Sequence, residues 1–285
     1  MRRFSPLRYP GGKSALSGLL SQIRKLNNLG DYSLSEPFAG GAGASLTLLY
    51  LEEVHEIHIN DADPAVHDFW WSVLSRPKSF QKLIENCVLT IPEWRHQKDL
   101  YKTKKQTSRL QRGFAAFYLN RCNRSGIIMN GGPIGGINQT GKWKIDARFN
   151  KSELIERCGR VAEYRERIKL SSFDGIEFIK NIEAEKTFFF IDPPYFEKGK
   201  TLYLNALNAD YHATLAEHMK TIRDAAWVIT YDDCPQIHAL YEGWANIRPF
   251  SLRYAAAERR KGKEVLITPK WFRLPSSQLS ATITW

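Results

Sequence analysis

Apolar and polar residues follow one another along the chain with the spacings of an α/β domain. Apolar residues of the first segment recur at helical spacing, at Leu16, Leu19, Leu20, Ile23 and Leu26. The alternation in residues 56–60 predicts a short strand, and the continuous apolar run of residues 187–191 predicts a buried one. An extended stretch, the glycine cluster at residues 40–43, a helix, the short strand and then Asp61 follow in order. That order is typical of a nucleotide-binding α/β half, whose ligands lie beyond the carboxyl ends of its strands.

The middle of the chain has a different pattern, which predicts an insertion. Helical spacing dominates from about Pro64 to Asn150, and between Lys98 and Arg124 there are eight lysine and arginine residues against the single acid Asp99. A glycine-rich stretch at residues 125–136 then predicts a hairpin or long loop with polar tips. We therefore predict a catalytic domain formed by residues 1–63 and 151–285, with a target-recognition insertion at residues 64–150.

The net charge of the chain suggests a class of binding partner. Lysine and arginine total 41 against 30 aspartate and glutamate residues, which gives the 285-residue chain a formal net charge of +11. Such an excess favours nucleic acid, although charge alone is equally compatible with a basic enzyme. The four cysteines stand singly and form no CxxC pair, so neither a disulfide framework nor a metal site is expected. No apolar run approaches the roughly 18 residues of a membrane helix, and no apolar stretch follows the first arginines, so we expect a cytoplasmic protein with no membrane partner.

The strongest single motif is Asp192, Pro193, Pro194 and Tyr195, which follows the buried strand directly. The carboxyl end of such a strand is where an α/β enzyme carries its chemistry. The two prolines fix φ and lack N–H groups, so the loop offers carbonyl oxygens without competing backbone donors. A rigid turn would have the same sequence, and the other motifs of the chain decide between the two interpretations.

Together with residues 38–43 and 60–61, this motif resembles the S-adenosylmethionine-dependent amino-methyltransferases of DNA, and most closely the DNA adenine methylase (Dam-type) family. Residues 7–13 match the family's amino-terminal motif, residues 36–40 its cofactor loop and residues 192–195 its catalytic loop. The resemblance covers most of the chain. It implies a Rossmann-like S-adenosylmethionine-dependent methyltransferase domain with a helical or hairpin target-recognition insertion, and S-adenosylmethionine as the cofactor.

The resemblance implies transfer of the methyl group to N6 of an adenine that leaves the duplex. Asp192 and the Pro193 carbonyl would accept the two hydrogens of N6, whose lone pair is otherwise delocalised into the ring. An ionised Asp192 is sufficient for this role. Pro194 completes the rigid loop, and Tyr195 is expected to stack on the flipped base.

The resemblance also implies a set of cofactor contacts. The residues expected there are Tyr9, Lys13, Phe38, Gly40, Asp61, Asp174 and Asp192. Gly40 would allow close approach of the backbone. Asp61 lies 21 residues after Gly40, where nucleotide-binding folds place the acid that binds ribose hydroxyls.

The basic insertion is the expected site of contact with double-stranded DNA. Its cations would neutralise phosphates, and its asparagine and arginine side chains carry the donors that guanine and adenine edges require. The residues assigned to DNA are Lys104, Lys105, Arg109, Asn120, Arg121, Asn123, Arg124, Asn138 and Lys142. A solvated basic helix face is the alternative interpretation of the same charges.

The target sequence is expected to differ from GATC. Family members that methylate GATC carry a Val-Pro-Phe-Gly-like segment in the recognition hairpin, and this chain has residues 143–150, WKIDARFN, in its place. We therefore predict a specific, non-GATC target. We also expect the protein to be a monomer in solution. Whether a cognate restriction or defence component accompanies the protein is left open.

Two alternative functions are compatible with the sequence, and two others are disfavoured by it. N4-cytosine methylation is an alternative because the same loop can orient either exocyclic amine, although Asp rather than Ser before Pro-Pro-Tyr favours adenine. A catalytically inactive protein that binds DNA or RNA is a second alternative. A nicotinamide dehydrogenase is disfavoured because the glycine cluster is not GxGxxG, and a base deaminase because its zinc-ligand motifs are absent.

Overall fold

The computed structural model describes residues 4–8, 13–103, 107–183, 185–196, 207–252, 262–276 and 283–284. Its strands, in chain order, are β1 (Ser33–Glu36), β2 (Ile57–Asn60), β3 (Ile168–Ser171), β4 (Thr187–Ile191), β5 (Ala226–Asp232), β6 (Ala245–Leu252), β7 (Gly262–Pro269) and β8 (Ile283–Thr284). Its α-helices are α1 (Ser17–Leu26), α2 (Gly43–Tyr50), α3 (Pro64–Ser75), α4 (Pro77–Asn86), α5 (Ile91–Lys102), α6 (Arg109–Cys122), α7 (Lys151–Glu163), α8 (Gly175–Asn181), α9 (Ala209–Thr221) and α10 (Pro235–Tyr241). Short 3₁₀ helices span Lys13–Leu16, Arg124–Gly126 and Arg165–Arg167.

The chain forms two compact units. We call Lys13–Asn60 with Phe173–Trp285 the sheet unit, and Met1–Gly12 with Asp61–Ser172 the helical unit. These limits differ from the predicted ones because residues 1–12, 61–63 and 151–172 belong to the helical unit. There α7 packs against α3 and α4, so the insertion ends about twenty residues later than its sequence pattern indicates. The functions assigned to the two parts stay predictions.

The sheet unit combines a parallel and an antiparallel half. Strands β2, β1, β4 and β5 lie side by side in parallel. Strand β7 then pairs antiparallel with β5, β6 with β7, and β8 with β6. All of β4 and β5 is buried, as expected for central strands covered on both faces.

Alternation along the strands sorts the side chains of this unit onto two faces. Phe189, Ile229 and Ile267 belong to a core that α8, α9 and α10 contribute to through apolar residues such as Ile176, Leu215 and Ile237. Side chains alternate between the faces of a sheet. Asp192, Thr230 and Glu264 therefore share the opposite face, and this shared face brings the candidate chemistry together.

The helical unit is held by aromatic packing and one buried acid. Helices α3 and α6 approach closely at Gly113, where a Cβ atom would lie 2.4 Å from the Asp68 carbonyl oxygen. The Asp68 carboxylate accepts hydrogen bonds from Arg109 at 3.0 Å and Arg112 at 2.7 Å. Stacked and edge-on rings fill the space around these helices, namely Phe69, Phe80, Phe114, Phe117, Tyr118 and Phe149.

Where a hairpin or a long loop is predicted, the structure has a long loop. Residues 127–150 are all described and contain no strand, and a single antiparallel bridge joins Asn123 to Pro133. The Gln139 side chain organises the loop by donating to the Ile134 carbonyl at 2.8 Å and accepting from the Ile145 N–H at 2.9 Å. Within the described ranges, each helix is too short or too polar to traverse a membrane.

Candidate active site

Asp192 lies immediately after β4, at the carboxyl end of a central parallel strand. The Thr230 hydroxyl on β5 donates a hydrogen bond to Asp192 Oδ1 at 2.6 Å. The Lys13 ammonium lies 3.5 Å from the same oxygen, and the Asp192 side chain keeps 25% of its surface exposed. The carboxylate is therefore fixed in orientation while part of it remains accessible.

The surroundings of Asp192 change its acidity. Burial raises the pKa of Asp192 to about 6, Lys13 and the Thr230 hydroxyl act in the opposite direction, and the Glu264 carboxylate raises the pKa further. Most of the population is still ionised at neutral pH. Asp192 can therefore act as an ionised acceptor, although its pKa lies closer to neutral pH than that of an ordinary aspartate.

Lys13 is a buried cation with three oxygen partners. It begins the 3₁₀ helix Lys13–Leu16 and is only 5% exposed. Its Nζ donates to the Tyr195 hydroxyl, lies 3.2 Å from Glu264 Oε2 and also lies near Asp192 as described. An ammonium group is tolerated in an interior when anionic partners replace water, as these two carboxylates do. Sequence reasoning missed Glu264, and the one available signal was an acid placed directly before the apolar run of residues 265–267.

The loop after Asp192 is anchored at its far end. Pro193 is buried, and the Phe196 N–H donates to Asp232 Oδ1 at 3.1 Å. The Phe196 ring packs against His212 of α9 with centroids 5.3 Å apart. Tyr195 also packs against the core of the sheet unit. These contacts hold the end of the predicted catalytic loop at Tyr195 and Phe196.

The glycine-rich turn after β1 requires left-handed backbone at two positions. Gly40 and Ala42 both have φ near +45°, and α2 begins directly afterwards at Gly43. Glu36, at the end of β1, accepts hydrogen bonds from the Ser45 hydroxyl and from the Ser45 N–H at 2.9 Å. Burial raises the pKa of Glu36 to about 7, and the nearby Asp192 carboxylate adds to this effect.

A buried asparagine joins this turn to the start of α8. Asn60 is completely buried, and its side-chain amide donates to the Pro37 and Phe173 carbonyls at 2.9 Å each. The Phe173 N–H returns a hydrogen bond to Asn60 Oδ1 at 2.8 Å. Asn60 thus connects the segment that carries Phe38 with the one that carries Asp174.

Phe38 and Asp174 lie close to the same tyrosine of α9. A Cβ atom at Gly175 would come within 2.2 Å of the Phe38 ring, which in turn meets Tyr211 edge-on at 6.5 Å. Asp174 caps α8 by accepting from the Ile176 N–H at 2.9 Å, and its second oxygen accepts from the Tyr211 hydroxyl at 2.8 Å. Asp174 therefore has a structural role, and its contact with a cofactor stays a prediction.

Four further predicted site residues are Asp61, Tyr9, Lys104 and Lys105. Asp61 belongs to the helical unit, where Oδ1 accepts from the Asp63 N–H at 2.9 Å. Its role at the ribose stays a prediction. Tyr9, Lys104 and Lys105 lie outside the described residues.

Four of the residues assigned to DNA contact are exposed. Arg124, Asn138 and Lys142 are exposed in or beside the long loop, and the Lys142 ammonium lies 5.8 Å from the ring centre of Trp143. Arg109 is also exposed, although its guanidinium already binds Asp68 and lies over Trp71.

Three further residues assigned to base edges require a correction, because they are buried and bind backbone. Asn120 is 0% exposed and exchanges hydrogen bonds with the Arg8 backbone at 2.7 and 2.6 Å. Arg121 donates to the Arg148 carbonyl at 2.8 Å, and Asn123 donates to the Ile127 carbonyl at 2.6 Å. In this conformation their donors bind backbone carbonyls of the helical unit, so we leave them out of the proposed DNA surface.

The α/β sheet with a parallel half, and the aspartate on a proline-rich loop beside a buried lysine, are consistent with a Rossmann-like methyltransferase fold. A family model described as D12 class N6 adenine-specific DNA methyltransferase matches residues 9–256. The chain belongs to this family. It is an adenine-specific DNA methyltransferase, with DNA as its substrate and with the dependence on S-adenosylmethionine that is general for methyltransferases.

Comparisons with curated proteins and with solved structures do not add to this family assignment. No curated protein matches the chain. Among solved structures, the rRNA methyltransferase aviRa from Streptomyces viridochromogenes is similar over 91% of this chain and 86% of its own, with 14% sequence identity and a TM-score of 0.34.

Proposed function

We propose that residues 192–195 form the catalytic loop that transfers a methyl group to N6 of adenine. The observation that carries this assignment is the Asp192 carboxylate, held by Thr230 at 2.6 Å and by Lys13 at 3.5 Å at the end of a central strand. Because it is partly exposed and ionised at neutral pH, this group is suited to accept a hydrogen from an incoming amine.

The chemistry follows from the electronic structure of adenine. The N6 lone pair is delocalised into the ring, so the amine is a weak nucleophile. Asp192 accepts one N6 hydrogen and the Pro193 carbonyl accepts the other, which turns the lone pair out of the ring plane. N6 loses one proton after methylation. Asp192, with a pKa near 6, accepts this proton and returns it to water.

The residues of the sheet unit fit S-adenosylmethionine as the cofactor. A buried ammonium (Lys13), a left-handed glycine (Gly40) and an aromatic ring (Phe38) provide a cation, close backbone approach and an apolar surface for a charged nucleoside. When bound, S-adenosylmethionine supplies the methyl group as a sulfonium. We assign Lys13, Phe38, Gly40, Asp174 and Asp192 to its binding, with Tyr9 and Asp61 added from the sequence alone.

DNA recognition is assigned to the helical unit. Exposed Arg109, Arg124, Asn138 and Lys142 would contact phosphates or base edges, with Lys104 and Lys105 added from the sequence. A target adenine has to leave the stack before it reaches the catalytic loop, and Tyr195 is the ring proposed to stack on it. We propose a specific target other than GATC and a monomeric enzyme. A cognate restriction or defence component is a partner that the sequence leaves open.

The test uses cells that lack all DNA methylation. They express the full chain, and the nucleosides of their digested DNA are quantified by mass spectrometry. We expect N6-methyladenine that disappears with Asp192→Ala and persists with Asp210→Ala, which alters an exposed aspartate of α9. Persistence in Asp192→Ala would contradict the catalytic assignment. N4-methylcytosine would keep the loop and change the base. Complete protection of plasmid DNA from a GATC-specific, methylation-sensitive nuclease would contradict the proposed target.

A further inference from the structure

The site contains a buried carboxylate, that of Glu264, which the mechanism has not used. Glu264 lies on β7, in the antiparallel half of the sheet, and is only 1% exposed. Its neighbours across the two ladders are Asp232 and Phe250. An interior carboxylate is costly unless it is paired, because several kcal/mol of hydration are lost on burial. The chemistry of this position therefore depends on its partner, Lys13.

We propose that Glu264 is a positioning residue that holds the Lys13 ammonium apart from the catalytic carboxylate. This inference rests on the proposed function, because it assigns a role to Glu264 through the residues that the function uses. Glu264 touches neither the cofactor nor the base in this account, and it acts only through Lys13.

The geometry of the ammonium supports this role. Lys13 Nζ has three hydrogens to donate and three oxygen neighbours: the Tyr195 hydroxyl, Glu264 Oε2 at 3.2 Å and Asp192 Oδ1 at 3.5 Å. Glu264 is the closer of the two carboxylates. The lysine charge is therefore shared, and Asp192 keeps much of its capacity to accept a hydrogen bond from another donor.

Loss of the Glu264 charge would change this balance. With one carboxylate left, the ammonium would move towards Asp192 and occupy the oxygen that the amine needs. It would also lose the orientation in which it meets Tyr195. Turnover and cofactor affinity would then fall together, although neither group had been altered directly.

The pH dependence separates this role from a purely structural one. Charged and titratable groups that interact with Asp192 include Lys13, Glu264, Glu36 and Tyr231. The Tyr195 hydroxyl contacts Lys13, and Asp232 lies opposite Glu264 on β5. Of these, Glu264 raises the pKa of Asp192 and Lys13 lowers it. Removal of the Glu264 charge and closer approach of Lys13 therefore both lower that pKa. The acid limb of the activity profile should move to lower pH.

The first experiment compares Glu264→Gln with wild type in the full chain. It measures kcat, the KM for S-adenosylmethionine and the pH profile with DNA as substrate. Calorimetry of the DNA-free protein measures binding of S-adenosylmethionine. We expect kcat to fall about tenfold at pH 8 and cofactor affinity to fall by a similar factor, as for loss of one charged hydrogen bond. The acid limb should move below about pH 6, the pKa that burial gives Asp192.

Two further variants act as controls. Glu264→Asp keeps the charge and should restore part of the loss. Glu177→Gln removes an exposed glutamate of α8 in the same unit and should leave every parameter unchanged. Wild-type values for Glu264→Gln, or a loss of kcat with an unmoved acid limb, would overturn the inference.

Thermal unfolding gives a readout that needs neither activity nor cofactor. Lys13→Met leaves Glu264 buried beside a neutral side chain and should lower Tm strongly. Adding Glu264→Gln to Lys13→Met should recover part of that loss, because the two residues are coupled. Additive losses would contradict the pairing.

If Asp192→Ala keeps its activity, the proposed function fails. If Asp192→Ala is inactive while Glu264→Gln matches wild type, only this inference fails.

Discussion

The two units of the chain use charge in different places. In the sheet unit the groups assigned to chemistry are buried or partly buried, and they are fixed by contacts such as those of Lys13 with Glu264 and of Thr230 with Asp192. In the helical unit Arg124 and Lys142, which we assign to DNA, are exposed on or beside a loop. Buried charges respond to protonation and are little screened by salt, whereas exposed charges respond strongly to salt. We therefore expect pH to act mainly on catalysis in the sheet unit and ionic strength mainly on DNA binding by the helical unit.

Interior charge in the helical unit serves a different purpose. Asp68 is paired with Arg109 and Arg112, and these contacts join α3 to α6. Burial acts to raise the pKa of Asp68, but hydrogen bonds from His67, Arg109 and Arg112 outweigh it and leave the pKa lowered. The pKa values of Asp192 and Glu36 are instead raised. The acids at the candidate site therefore shift in the direction opposite to Asp68, which has two arginine donors.

The sharpest test of the sheet unit is Thr230→Val. Removal of the hydroxyl takes away a hydrogen bond that lowers the pKa of Asp192. That pKa should rise further above its ordinary value, so the acid limb of turnover should move to higher pH. A hydrogen bond to a charged group contributes about 1.5–3 kcal/mol, and kcat at neutral pH should fall about tenfold or more. The measurement is kcat against pH at saturating DNA and S-adenosylmethionine.

Thr230→Ser is the matched control, since it keeps the hydroxyl and should keep both the acid limb and most of the turnover. The salt dependence of DNA binding should be unchanged in either variant. An acid limb that stays in place for Thr230→Val would show that the hydroxyl does not act on Asp192. The shift should be opposite in sign to that of Glu264→Gln, and equal shifts would break the electrostatic account of the site.

The helical unit is tested by the double variant Arg124→Ala with Lys142→Ala. Each phosphate contact contributes about 0.9 to the slope of log affinity against log salt. If each of the two residues neutralises one phosphate, the slope should fall by roughly 1.8 and binding at low salt should weaken several-fold. Titration of a fluorescent duplex at several salt concentrations measures both quantities. Turnover at saturating DNA should keep its pH profile.

A control for net charge is available in the sheet unit. Lys180→Ala with Lys220→Ala removes two exposed lysines from α8 and α9. Its salt slope should match that of wild type. An equal fall in both double variants would mean that net charge, rather than the long loop, determines binding.

The comparison also explains which features the sequence could predict. Asp192 was predictable because its strand and its motif are contiguous, and chain order alone places them at the end of a strand. Glu264 was not, because its partner Lys13 is 251 residues away and a single acid in a strand has no local meaning. The assignment of Asn120 and Asn123 to base edges has a different basis. Asn120 and Asn123 carry donors that suit a base edge and a backbone carbonyl equally, and burial alone decides between the two.

The helical unit likewise has features that its local sequence pattern could not predict. Residues 113–122 of α6 are all buried, so this helix has no polar face whose period could have revealed which side chains reach solvent. The compact helical unit also extends beyond the predicted end of the insertion, to Ser172. Helix α7 has an ordinary amphipathic pattern, and only its packing against α3 and α4 assigns it to the helical unit.

The smallest expected effect concerns stability and Glu36. The pKa of Glu36 is raised from 4.5 to about 7, so the folded protein holds a proton through a range in which the unfolded chain has lost it. Stability from this group therefore falls as pH rises from about 4.5 to about 7 and stays lower above that range. Glu36→Gln should remove this dependence and raise Tm at pH 8 by about a few degrees, with little change at pH 4.5.

Thermal unfolding of the cofactor-free protein at these two pH values measures the effect. Glu56→Gln is a suitable comparison because Glu56 precedes the neighbouring strand and is not fully buried. Asp192 contributes a pH dependence of the same sign, so some should remain in Glu36→Gln. An unchanged difference in Tm between the two pH values would mean that Ser45 already compensates the Glu36 charge.

Asp68, whose pKa is lowered, stabilises the helical unit above the ordinary aspartate pKa and loses that contribution as pH falls. Acidification should therefore favour the sheet unit through Glu36 and disfavour the helical unit through Asp68.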